Sequence, residues 1–310
     1  VLNLSSGFAH KLLCTGPTMT AGNSCQYSCS FCYVPQLLAR NPQMLQAKQA
    51  TGLPHEGMVT RRLNAAEILK QQLLKKNGSR RFHNNEPHTV YCSPLVDCAP
   101  NLELARETAD MCNLILEHTV WDIRLLSKGN LLSRVAQMCG QEMKKHGIFG
   151  FSTGTLNDAL AASFEEGTAK VSRRLRDLYK LQDSGYRTYG MICPIIPQRN
   201  FTAFAEEMAA SIRFEKCEHV WVEVLNARGA SLTRTTNALR NGGFDWEADQ
   251  LELIAGDKEA WEHYARSAFL ALQKVIPAEK LRFMQYVTPE HRDWWKQHAN
   301  SGALLLGAHA

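Results

Sequence analysis

Three thiols stand within eight residues of one another. The segment NSCQYSCSFCY, residues 23–33, places Cys25, Cys29 and Cys32 with three residues and then two between them. Thiolates are soft ligands that suit zinc or iron–sulfur clusters. A structural zinc site wants four ligands. No further Cys or His follows Cys32 at close spacing. An electron-transfer cluster also takes four cysteines. Three thiolates on one short loop can hold three irons of a cubane and leave the fourth iron without a protein ligand. A three-cysteine zinc or iron–sulfur site completed by a distant residue is the competing reading.

The other seven cysteines, Cys14, Cys92, Cys98, Cys112, Cys139, Cys193 and Cys217, are scattered. Ten in 310 residues are too few for a disulfide scaffold. Most read as small buried hydrophobes of a reducing compartment, which predicts a cytoplasmic protein. No run of about 18 apolar residues predicts a membrane span, and the opening VLNLSSGFAH does not read as a signal peptide. Net charge is +5 and uneven: residues 1–100 carry ten Lys and Arg against four Asp and Glu. A basic excess beside the cysteines permits an anionic substrate, either a nucleic acid or a small phosphorylated molecule.

Alternating strands and helices must position the cysteine loop. HKLLC (10–14) reads as a first strand before it, and residues 36–57 as a helix running into a long loop. Leu63, Ala66, Leu69, Leu73 and Leu74 recur at helical spacing over 62–76, with Gly78 as the stop. HTVYCS (88–93) is a strand, and Asn101 caps a helix to about His118. WDIRLLSK (121–128) is a strand, 131–145 a helix, and IFGFST (148–153) a strand. Ser172 is expected to cap a helix through Ser184 that ends at Gly185. TYGMICPIIP (188–197) and HVWVEVLN (219–226) complete six strands, with a helix over about 202–214 between them.

Connections of this length suit parallel crossovers. The fold class is α/β: a partial (β/α)6 TIM-type barrel with a C-terminal helical extension. Residues 1–230 form the barrel with its N-terminal loop, and 231–310 an extension packed on it, with KLRFMQYV as a strand or extended segment and Trp294 and Trp295 on the last helix. No internal repeat and no flexible tether are visible. Such barrels carry their chemistry at the carboxyl ends of the strands. Ser93, Ser127, Lys128, Thr153 and Asn226 collect there.

The spacing CxxxCxxC, followed by the aromatic Tyr33 and set after a first strand, resembles the radical S-adenosylmethionine superfamily. The ordered segments CSFCY, YCSPLVD, RLLSKGNLL, FSTGTLND, RRLRDLYKLQDSGYRTYGMICPIIP and VWVEVLN resemble its spore photoproduct lyase-like branch, over most of residues 10–226. By that resemblance Cys25, Cys29 and Cys32 bind a [4Fe–4S] cluster. Its open iron takes the amino and carboxylate groups of S-adenosyl-L-methionine. Reductive cleavage then yields a 5′-deoxyadenosyl radical that abstracts hydrogen from substrate.

The resemblance sets Tyr33 by the adenine. It puts Ser93 or Asp97 where many relatives carry a Gly-Gly-Glu segment that meets the cofactor's amino group, a segment this chain lacks. Ser127 and Lys128 would meet a carboxylate, Ser152 and Thr153 the ribose or carboxylate, and Asn226 the site from the sixth strand. Cys92, with Cys98 as substitute, stands near the place of a cysteine that returns hydrogen to the product radical. Electrons would come from a flavodoxin or ferredoxin. The alternative is a non-catalytic iron–sulfur electron-transfer or nucleic-acid-binding protein. That reading requires a fourth protein ligand or no affinity for S-adenosylmethionine.

Overall fold

The computed structural model describes all residues except 54–57, 59, 83–85 and 227–229. The strands in chain order are β1 (Leu2–Asn3), β2 (Thr18–Met19), β3 (Gly22–Ser24), β4 (Ser28–Cys29), β5 (Thr60–Arg61), β6 (Thr89–Cys92) and β7 (Asp122–Ser127). There follow β8 (Gly147–Ser152), β9 (Glu165–Glu166), β10 (Arg187–Ile195), β11 (Cys217–Val224), β12 (Leu281–Tyr286) and β13 (Ala303–Leu306). The central sheet has the order β1-β2-β6-β7-β8-β10-β11-β12-β13. Every neighbour pair in it is parallel except β1 with β2. Two small antiparallel pairs lie outside it, β3 with β5 and β4 with β9.

Side chains alternate across each strand, and the two faces go to two cores. Outward residues such as Cys92, Ile123, Leu125, Phe149, Ile192, Val220, Val222 and Phe283 pack against the helices. Inward residues Tyr91, Ile148, Tyr189, Met191, Trp221, Met284 and Leu306 meet one another in a separate cluster. Residues from six strands touch across an interior only if the sheet is curved, so the architecture is a partial barrel, as the sequence implies.

Most predicted elements form, with shifts of a few residues. Asn101 caps the helix Leu102–His118 by accepting from the Leu104 amide. Gly185 follows the helix Val171–Asp183 with φ +75°. Four expectations are corrected. HKLLC is not a strand: Gly7–Ala9 forms a 3-10 turn and Leu12 has φ +55°, so the run folds back instead of extending. Its Leu13 and Cys14 plug the barrel interior. Arg124 satisfies the freed carbonyls, with Nη1 donating to Leu12 O at 3.0 Å and Leu13 O at 2.7 Å. The first barrel strand is β2.

The single helix over 131–145 is two, Leu132–Met138 and Glu142–His146, separated at Gly140 with φ +72°. Ser172 does not cap its helix. Lys170 holds that position, while the Ser172 hydroxyl donates to Asp158 at 2.7 Å. The tail is not only helical. After the helices Ala230–Asn241, Asp245–Ala255 and Lys258–Leu272 it adds β12 and β13, which continue the sheet beyond β11. No helix among the described residues is long and apolar enough to cross a membrane.

Candidate functional site

The cysteine loop emerges from the carboxyl end of β2 and is held on three sides. β4 pairs with β9, so Cys29 lies opposite Glu165. The Gln26 side chain donates to Pro100 O and accepts from Asn101, at 3.1 and 2.8 Å. The tail helix Ala230–Asn241 reaches over: Arg234 donates to Cys32 O at 2.8 Å, and Ser30 donates to the Thr235 hydroxyl at 2.9 Å.

A cavity of about 670 Å³ opens at this carboxyl end. Cys25, Cys29 and Cys32 line it together with Tyr33, Ser93, Asp97, Ser127, Lys128, Ser152 and Asn226, as the sequence places them. Among the described residues no three His, Cys, Asp or Glu side chains converge tightly enough to hold a single metal ion. Three thiols lining one cavity are a soft donor set of the kind an iron–sulfur cluster takes. Burial and the Asp97 carboxylate push Cys25 up to about 11. Burial and Glu165 push Cys29 well above the usual thiol range. Such thiols ionise only when cations replace their protons.

The polar residues around the cysteines satisfy one another. Asp97 accepts from the Ser127 hydroxyl at 2.7 Å, the Lys128 amide at 2.7 Å and the Ala99 amide at 2.9 Å. Burial nevertheless holds its carboxyl above the ordinary range. With these bonds made, Asp97 fixes the end of β7. Lys128 Nζ contacts Glu165 Oε1 at 2.5 Å and Cys193 O at 3.0 Å, and lies 5.1 Å from the Phe31 ring centroid. Glu165, whose side chain is fully buried, meets Arg174 at 2.6 Å on its other oxygen. Arg174 also donates to Ala169 O, Ser152 O and the Thr168 hydroxyl. Tyr33 is about half exposed, and its hydroxyl donates to Pro94 O at 2.7 Å. Ser93 donates to Thr20 at 2.9 Å, and Ser152 to Cys193 O at 2.9 Å.

Three expected residues do not reach the cavity. Cys92 follows the inward Tyr91, so the two-residue period turns it outward, fully buried against the helices. Cys98 lies in the same outer core, its thiol donating to Leu126 O at 3.2 Å. Thr153 is buried and bonds to Thr155 O. Next to it Gly154 passes so close to β10 that a Cβ there would fall 1.6 Å from Pro194 O.

The sequence reading missed the opposite wall. Cys193 on β10, Glu223 on β11, Tyr286 on β12 and Lys11 of the N-terminal segment all line the cavity. Lys11 Nζ lies 3.4 Å from both Glu223 oxygens and 5.5 Å from the Tyr286 ring centroid. The Cys193 thiol sits 3.9 Å from Glu223 Oε2. Burial, then Glu223, push Cys193 up to about 12. Burial works against the Lys11 ammonium, but Glu223 and Tyr286 outweigh it and its range is raised. The missed signal was strand alternation: with Tyr189 and Met191 inward, Cys193 is the next inward position, as Glu223 is after Trp221.

No protein-family model matches the chain, and no curated protein does. Solved structures of spore photoproduct lyase do match in fold. A tyrosine-to-phenylalanine variant is 14% identical with a TM-score of 0.51, covering 80% of this chain and 74% of that one. A cysteine-to-alanine variant with dinucleoside spore photoproduct is also 14% identical at TM-score 0.51, over 73% of this chain and 61% of that one. The same variant without that ligand matches equally. Against the first neighbours the chain spans about three-fifths of their length. The resemblance read from the sequence is borne out at the level of fold.

Proposed function

We propose that this chain is a radical S-adenosylmethionine enzyme. Cys25, Cys29 and Cys32 would hold a [4Fe–4S] cluster, and S-adenosyl-L-methionine would lie beside it in the 670 Å³ cavity. The observation that carries this reading is the convergence of the three cysteines with Tyr33, Asp97, Lys128 and Ser152 on one cavity at the carboxyl ends of parallel strands. When bound, the cluster would supply one electron to cleave a carbon–sulfur bond of the cofactor and so give a hydrogen-abstracting radical.

The chain's own residues have definable tasks. Lys128, held between Glu165 and the Cys193 carbonyl, presents an ammonium to a carboxylate at the cavity edge. Ser93 and Ser152 offer hydroxyls to polar groups of the cofactor, and Asn226 an amide. Val34, Leu126, Val224 and Leu225 line the cavity with apolar surface, which keeps water and stray hydrogen donors from a radical. Cys193, and not Cys92, presents its thiol to the cavity as a hydrogen donor. The reductant is a flavodoxin or ferredoxin type protein, and the compartment is cytoplasmic. A damaged nucleic acid is supported as substrate by likeness to a fold solved with a dinucleoside photoproduct. A small anionic molecule is the alternative suggested by the basic N-terminal third.

The test is anaerobic reconstitution with iron and sulfide. Paramagnetic resonance of the reduced protein is then recorded with and without S-adenosylmethionine, and 5′-deoxyadenosine is assayed by chromatography. A signal altered by the cofactor, with 5′-deoxyadenosine formed, is expected. A cluster signal indifferent to the cofactor, with no cleavage, would replace this reading with an electron-transfer protein.

A further inference from the structure

A second, smaller cavity flanks the cysteine loop. It holds about 140 Å³ and shares no lining residue with the barrel cavity. Its walls come from β3, from β5 and the residue after it, and from the first turn of the helix Pro42–Thr51. Gly22 pairs with Arg61 and Ser24 with Thr60, so Asn23 is the extra residue of a bulge. The strands come together only because residue 22 has no side chain: a Cβ there would fall 2.1 Å from Thr60 O. Asn23 is buried, its amide donating to the Thr60 hydroxyl at 3.3 Å and its side chain to Gln43 Oε1 at 3.4 Å.

The lining is rich in donors. Asn23, Gln43, Thr60, Arg61 and Arg62 contribute to it, and no Asp or Glu stands among the described lining residues. Glu103 and Glu107, on the helix Leu102–His118, take Nη1 and Nη2 of Arg61 from outside the pocket. That leaves Nε of Arg61 buried without a partner among the described residues. Arg62 adds a second guanidinium to the same wall. Buried donors without acceptors are costly, and an anion supplies the acceptors.

Size and direction narrow the ligand. At about 30 Å³ per water the cavity holds roughly five waters, the bulk of one tetrahedral oxyanion and no more. The donors arrive from three elements. A planar carboxylate offers its acceptors in one plane, whereas a tetrahedral anion offers them on every side. Guanidinium groups match phosphate oxygens in charge and in fork geometry.

We propose that this pocket is a phosphate site, taking free phosphate or the terminal phosphate of a small ester, separate from the barrel cavity assigned to the radical chemistry. Its position gives the ligand a structural consequence. Asn23 stands two residues before Cys25, and Met44 packs in the small core that Cys32 joins. An occupied pocket therefore ties together the two ends of the cysteine loop.

The test is isothermal titration calorimetry of the whole chain, before and after reconstitution, with inorganic phosphate, ribose 5-phosphate and ribose. Saturable binding of inorganic phosphate is expected, with none of ribose. Ribose 5-phosphate binding as tightly as phosphate would assign the site to an ester, and phosphate alone would assign it to the free anion. Arg62→Gln should weaken the phosphate ligands about tenfold or more, the loss of one charge-assisted hydrogen bond. Arg62→Lys should recover part of that loss, since it keeps the charge without the fork. Gln43→Ala, on an exposed side chain that leaves both arginines in place, should weaken them about threefold. Lys11→Met, in the barrel cavity, should leave phosphate affinity unchanged.

No binding of either phosphate compound overturns the site. So does affinity that Arg62→Gln and Gln43→Ala both leave intact, or phosphate binding that Lys11→Met removes. The titrations need no reductant and no S-adenosylmethionine. A protein that cleaves the cofactor but binds no phosphate loses this site alone. One that binds phosphate through Arg62 but never cleaves the cofactor loses the radical reading alone.

Discussion

Replacing Glu165 by glutamine tests whether a buried ion triad holds the cysteine loop in place. The Glu165 side chain has no solvent exposure and contacts Lys128 at 2.5 Å and Arg174 at 2.6 Å. Its backbone pairs with Cys29. Glutamine keeps the volume, but one oxygen becomes an NH2 group that points a donor at a cation. One positive charge is then left without a partner in a dry site. Breaking a buried pair from one side costs about 3–5 kcal/mol. Unfolding entropy of roughly 2.1 cal/mol/K per residue gives about 0.65 kcal/mol/K for 310 residues, so the melting temperature should fall by about 5–8 °C. The assay is differential scanning calorimetry of the apoprotein, with iron per chain measured after anaerobic reconstitution. Iron retention should drop, because β9 no longer fixes β4. Glu166→Gln, on the exposed neighbour in the same strand, is the control and should melt within about 1 °C of wild type. A Glu165→Gln protein that matches this control in melting and iron content refutes the triad as the anchor.

Cys193→Ala should leave 5′-deoxyadenosine formation running while the substrate radical goes to other products, read by chromatography and mass spectrometry. Cys92→Ala should leave products unchanged and cost on the order of 1 kcal/mol of stability, since that thiol packs only in the outer core. Substituting Cys25, Cys29 or Cys32 by alanine should abolish iron retention after reconstitution, whereas Cys217→Ala, remote in the outer core, should retain it. Gly154→Ala should lower the melting temperature by at least 5 °C, or prevent folding, because its Cβ would fall 1.6 Å from Pro194 O and the two strand ends cannot both keep their places. A variant that melts like wild type would show that the Gly154–Pro194 approach is wrong.

What the sequence made legible follows from the range of the interactions involved. The thiol spacing, the Asn101 cap and the strand–helix alternation are written within a few residues of one another. All three stand in the structure. The strand assigned to HKLLC failed because a short apolar run reports burial and not backbone conformation. Leu13 and Cys14 are buried, but in a plug whose Leu12 and Leu13 carbonyls depend on Arg124, more than 110 residues away. Cys92 failed for a related reason. Its neighbours in sequence reach the site, yet the period of two turns the thiol itself away. β13 was missed because ALLL is too short to distinguish from a buried turn. It becomes a strand only by pairing with β12.

The same long-range contacts explain why the site could not be drawn from the cysteine loop alone. One wall is local: three cysteines, Tyr33, and the polar ends of β6 to β8. The other is assembled from residue 11, the inward positions of β10 and β11, and Tyr286 on a strand the tail adds beyond the sixth. Trp221 ties these parts together. Its indole donates to Lys11 O at 2.7 Å, and its ring takes Arg124 at 4.8 Å, so the N-terminal plug and β11 hold each other in register. Glu223, two residues further along β11, is thereby delivered to Lys11. The tail serves the first wall as well, since Arg234 and Thr235 bond to the cysteine loop. A chain cut before residue 230 would lose Tyr286, the Arg234 contact to Cys32 O and β12, one of the two pairing partners of β11, together. The residues beyond the six-stranded barrel are therefore part of the site's construction, on both of its walls.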